Sequence, residues 1–218
     1  METWSYGEAA EPRRFPWPPP EEGSILGAFG ETWKGATFDP GAFFRRLPAR
    51  ESVGPALLYY LVLGILLAGV GLFWDVTGVF ASGEDRQAMA DELGLGTLSP
   101  VVTFLISPLA LMLGLVIAAA LTHVVLLVFG AAQNGFNATI RVFCYAYSPM
   151  AFGVVPVLGH VVGTIWMVVI AIIGLREAHR TETWRATVAV LLPFFLFIAF
   201  IVTAVLFLLA AGAALLTL

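Results

Sequence analysis

Residues 100–129 read PVVTFLISPLALMLGLVIAAALTHVVLLVF, thirty positions without a formally charged side chain. A helix needs about 20 apolar residues to cross the hydrocarbon core of a bilayer, whereas a surface helix of a soluble domain keeps one polar face. The stretch therefore reads as a membrane span. It is too long for one straight crossing, and Ser107-Pro108 marks a bend or the point of membrane entry. The surrounding sequence agrees. Between Leu93 and Arg176 the only charged side chain is Arg141, and none follows Arg185. Of the 218 residues 59% are hydrophobic and 12% charged, and the mean hydropathy is +0.90. A soluble domain carries roughly 25% charged residues, so this chain lacks the polar surface it would need in water.

Four further apolar stretches flank the first one. Pro55 to Trp74 precedes it, closed by Asp75, and a polar loop with Gly83-Glu84-Asp85-Arg86 and Asp91-Glu92 leads into Pro100, with a short surface helix expected between the two acidic clusters. Ala138 to Leu158 follows, interrupted by Pro149 and Pro156; then come Gly159 to Leu175 and the long Ala186 to Leu216, with Pro193 near its start. The fold class is all-α, a polytopic membrane protein of five transmembrane helices. No internal repeat is visible.

The N-terminal quarter differs. Residues 1–23 hold Arg13-Arg14-Phe15-Pro16-Trp17-Pro18-Pro19-Pro20, a proline-rich tail expected to be extended and disordered. Residues 24–54 mix Ile25, Leu26, Phe29, Trp33, Phe38, Phe43 and Phe44 with Lys34, Arg45 and Arg46, broken at Asp39-Pro40. They read as two short amphipathic pieces at the membrane interface. In one reading Phe43 and Phe44 enter the acyl boundary while Arg45 and Arg46 meet lipid phosphate. In the other the two rings pack on the underside of the bundle. Residues 55–218 form the transmembrane domain.

Charge distribution fixes an expected orientation. Arg45, Arg46, Arg50, Arg141, Arg176, Arg180 and Arg185 fall on one side of the five spans, and Arg86 alone falls on the other. Basic residues near spans stay in the cytoplasm, which puts the N-terminus inside and the C-terminus outside, in the plasma membrane if the source is prokaryotic. A net charge of −4 with no basic stripe excludes nucleic acid as a partner. The single Cys144 allows no intramolecular disulfide.

Several residues carry a family resemblance: Phe43-Phe44-Arg45-Arg46-Leu47-Pro48, Tyr145-Ala146-Tyr147-Ser148-Pro149, Pro156, Gly159, Trp166, Gly174-Leu175, His179, Ala186 and Pro193. Over roughly residues 38 to 210 the chain resembles the Yip-domain membrane proteins. The resemblance implies five helices and a cytoplasmic N-terminus. Eukaryotic members bind Rab-type small GTPases in traffic between endoplasmic reticulum and Golgi, but their Asp-Leu-Tyr-Gly-Pro motif is absent here and the region before the first span is short. In shape the chain is nearer to prokaryotic members.

Candidate functional residues follow from scarcity, because polar groups in mid-membrane must find partners or water. His123, Tyr145, Tyr147, Ser148 and Pro149 are the densest such set, expected to share a polar cavity between the second and third spans. Pro149 removes the backbone bond to the carbonyl of Tyr145, and Pro156 the one to Phe152. Those carbonyls either line the cavity or are satisfied by neighbouring side chains. His123 serves as a proton relay or ligand contact, or as a neutral imidazole bonded to the next helix. Small residues at Ala110, Gly114 and Ala118, and at Gly159 and Gly163, permit close helix contact. His123, His160 and His179 do not have metal-site spacing, and motifs of hydrolases, zinc enzymes and phosphate-binding loops are missing, so no metal, cofactor or catalytic residue is assigned. The function expected is a non-enzymatic protein that organises membrane lipids or binds a protein partner through its N-terminal cytoplasmic face. The competing class is a small transporter, channel or lipid-handling protein that uses the broken third helix.

Overall fold

The computed structural model describes residues 15–48, 52–77 and 100–215. Two short helices, α1 (Ile25–Phe38) and α2 (Pro40–Arg45), precede α3 (Gly54–Thr77), α4 (Pro100–Val128) and α5 (Gly135–Ala146). A 3-10 segment (Ser148–Val154) follows, then α6 (Leu158–His179) and α7 (Thr183–Leu215). The five apolar stretches are thus five helical stretches, the third made of α5 plus the 3-10 segment. The apolar α3, α4 and α6 are each long enough to cross a membrane, and α7 opens with a shorter apolar part, Thr183–Leu196. The surface helix expected between Gly83 and Glu92, and the tail before Phe15, lie outside the described residues.

Serine lets the chain carry proline inside these helices. Helix α4 runs through Pro108, and Ser107 Oγ donates to the Phe104 carbonyl at 2.8 Å, the acceptor that Pro108 deprives of its usual bond. Ser148 repeats the device beside Pro149: its hydroxyl donates to the Tyr145 carbonyl at 2.7 Å. The third stretch nevertheless does not continue as an α-helix, and the Phe152 carbonyl is met by the Val155 amide at 3.0 Å. Of the two fates for the freed carbonyls, local satisfaction is the one observed.

The packing centres on α6, which touches α2, α5, the 3-10 segment and α7. Gly159 and Gly163 let its backbone approach that segment, and Gly174 receives the Phe44 ring and Val142. Helix α3 packs on α4, α5 and the 3-10 segment, and α7 packs on α4 and α6. Asp39 separates α1 from α2 and caps the second, its carboxylate accepting the Ala42 amide at 3.2 Å. The two form a hairpin on one flank of the bundle. Trp33 Nε1 donates to the Ser148 carbonyl at 3.0 Å, and Trp166 Nε1 donates to the Thr37 carbonyl at 2.7 Å. Phe43 and Phe44 are 0% and 2% exposed, so the underside packing is observed for both rings and insertion into lipid is not. Gly174 explains the choice: it opens a slot in α6 that an aromatic ring fills. Part of the proline-rich tail is also docked. Trp17 is buried and its indole donates to the Pro55 carbonyl at 2.7 Å, while Phe15 packs against Phe43 and Tyr145.

Candidate functional site

The structure divides the five residues singled out from sequence among three places. Tyr145 and Ser148 lie in a buried aromatic centre with Tyr59 of α3. Because Ser148 spends its proton on the Tyr145 carbonyl, its oxygen accepts from Tyr59 OH at 2.7 Å. Phe29, Phe43 and Phe15 stack around these two tyrosines at centroid distances of 4.9 to 5.5 Å. The aromatic centre therefore joins the N-terminal hairpin to the first and third spans. Pro149 is buried beside it, its carbonyl facing Gly163.

His123 is elsewhere, at the end where α4 and α6 meet the Phe129–Asn134 turn. His123 Nδ1 and Thr139 Oγ1 are 2.9 Å apart, and Thr139 Oγ1 and His179 Nε2 are 3.0 Å apart. The Asn134 amide donates to His179 Nδ1 at 3.3 Å, which leaves the His179 proton on Nε2. The chain then has one direction: His179 donates to Thr139, and Thr139 donates to His123. The Asn134 side chain reaches the Ala178 carbonyl, so the same turn is held twice. His123 is thus a hydrogen-bonded imidazole between helices, its partner being Thr139, which links it to His179 at the end of α6.

Tyr147 faces a third place, at the opposite end of the bundle. A cavity of about 400 Å³ lies between the end of α3, the 3-10 segment and the start of α6. Tyr147, Trp74, Asp75 and His160 line it, with Met150 and Val157. The His160 ring lies flat on Gly153, where an added Cβ would meet it at 3.0 Å. Val157 has φ 61°, a conformation that a β-branched residue adopts only under strain, and its neighbour Leu158 opens α6. The single cavity expected around His123, Tyr145, Tyr147 and Ser148 is therefore not formed. Tyr147 stands eight residues beyond Thr139, the partner of His123, about 12 Å along α5, and aromatic rings fill the space at Tyr145. Trp74, Asp75 and His160 were missed; each sits at the end of a span, where sequence reading assigns loop contacts and not a cavity wall.

The basic end of the molecule completes the picture. Arg45, although 59% exposed, sits 3.6 Å from Glu177, which also pairs with Arg176 at 2.5 Å. Arg46 is exposed, its Nε donating back to the Ala42 carbonyl at 3.1 Å. Arg185 donates to the Phe129 carbonyl at 3.3 Å. Arg141, counted with this group in the sequence, is instead buried and donates to the Pro48 carbonyl at 2.6 Å. Among the described residues no three His, Cys, Asp or Glu side chains gather as a metal site.

Among the described residues, an all-helical bundle with membrane-length apolar helices and arginines gathered towards one end defines a multi-pass integral membrane protein. Residues 34–216 match the Yip1 domain, and the chain belongs to that family. Neither the curated proteins nor the solved structures contain a match to it.

Proposed function

We propose that this protein is a non-enzymatic membrane organiser, which meets anionic lipid and a protein partner through its basic, cytoplasmic end. The observation that carries this reading is the convergence of Arg45 and Arg176, from two distant parts of the chain, on Glu177, with exposed Arg46 and Arg180 next to the two elements that bring them there. Each basic residue near a membrane surface is worth about 1 kcal/mol of attraction to anionic lipid. On this reading Arg45 and Arg46 supply the lipid contact while Phe43 and Phe44 anchor the hairpin that presents them. The same charge bias supports an N-terminus inside and a C-terminus outside.

The cavity lined by Tyr147, Asp75 and His160 favours a second reading, a transporter or lipid-handling protein. One reconstitution separates the two. Full-length protein in mixed nanodiscs should retain anionic lipids over zwitterionic ones by native mass spectrometry, and the preference should fall with salt and with Arg45→Glu plus Arg46→Glu. In liposomes it should pass neither solute nor lipid. Equal retention of both lipid classes would remove the organiser reading, and a flux abolished by Tyr147→Phe would establish the transporter.

A further inference from the structure

Helix α1 turns one face to the bundle and another away from it. Ala28, Thr32 and Ala36 are buried, whereas Gly27, Gly30, Glu31 and Lys34 are exposed. The level of this outer face follows from two indole bonds. Thr37 is held by Trp166, which stands thirteen residues before His179, about 20 Å along α6 at 1.5 Å per residue. Trp33, one turn earlier in α1, is held by Ser148. The turn between α1 and α2 therefore reaches beyond the middle of α6, and Glu31 and Lys34 lie beside its apolar length. Among the described residues neither makes an ion pair or a side-chain hydrogen bond. Two opposite charges turned away from the bundle, on a helix packed along the spans, are open to a partner outside the protomer.

The charges themselves describe that partner. Glu31 and Lys34 are three positions apart, so they share a face of the helix. Two copies inserted in the same direction are related by a two-fold axis along the membrane normal, which sets their α1 helices side by side and parallel. A two-fold interface requires every contact to occur twice. A face that carries one acid and one base a single turn apart meets that condition with itself, because the offset of about 4.5 Å is within reach of a lysine side chain. Gly30 adds room: a Cβ built there meets nothing within 4 Å, so the protomer does not need its smallness, but an approaching backbone does.

We propose that α1 pairs with α1 of a second copy, Glu31 of each protomer meeting Lys34 of the other.

The test uses the full chain in native membranes, with Gly30→Cys in a Cys144→Ala background. Oxidation should give a disulfide-linked dimer. Glu31→Lys alone and Lys34→Glu alone should each lower that yield by about tenfold, the effect of losing both symmetry-related pairs at once. Co-expressed under different tags, these two variants should recover the cross-link between them, since each then offers the charge the other lacks. Recovery also shows that both variants fold. If the mixture cross-links no better than either variant alone, or if the yield ignores charge throughout, the proposal fails. Cross-linking to other proteins in place of a second copy would equally overturn it.

Discussion

Gly159→Ala is expected to unfold the membrane domain. A Cβ at this position would lie 1.8 Å from the Phe152 carbonyl oxygen and 2.6 Å from its carbon. Both are backbone atoms of the 3-10 segment, which is itself fixed by Ser148 on Tyr59 and by Pro149 against Gly163. Overpacking by one methyl group costs about 1–3 kcal/mol when side chains can shift, and here none can. Gly163→Ala should be milder, since its Cβ would stand 2.8 Å from the Pro149 carbonyl oxygen. Gly114→Ala, with nothing within 4 Å, is the control and should melt like the parent. Thermal denaturation in detergent, followed by gel filtration, ranks the three. If Gly159→Ala melted with Gly114→Ala, the close approach of α6 to the 3-10 segment would be wrong.

The second large effect is expected from Arg141→Met. The side chain is 2% exposed and ties α5 to the Pro48 carbonyl, between the hairpin and α3. Methionine keeps much of the length but leaves that acceptor without its charged donor, a loss of about 1.5–3 kcal/mol. Arg141→Lys should recover only part of it, because an ammonium cannot reproduce the planar fork of the guanidinium. The melting temperature should fall in the order parent, Lys, Met, and protease should cut near Pro48 more readily in the same order. Unchanged melting with Met would mean that Arg141 is a surface charge, as its sequence position suggests.

Arg141 also shows where sequence reading stops. The charge-free stretches and the uneven spread of arginine made the spans legible, because a bilayer tolerates few alternatives. Nothing in the spacing says that one arginine turns inward to a carbonyl 93 positions away. The third stretch had the length of a span, but Ser148-Pro149 converts its second half to a tighter helix. Tyr147 and His123 are kept apart by the two turns of α5 between Thr139, which bonds His123, and Tyr147. The polar residues themselves were legible by scarcity, and Tyr145 and Ser148 do lie together. Their partner Tyr59 was not, since an almost uniformly apolar helix carries no periodicity to reveal its inner face. For the same reason Thr139 and His179 could not be matched to His123, and Gly174 could not be matched to Phe44.

The proposed topology has five crossings with the basic end in the cytoplasm. Single cysteines in a Cys144→Ala background, treated with an impermeant thiol reagent outside intact cells, test it most directly. Cysteines at Ser82 and Leu218 should react, and those at Ser24 and Thr181 should react only after the membrane is opened. The opposite pattern would reverse the orientation, and labelling of Ser24 and Leu218 from the same side would contradict the odd number of crossings.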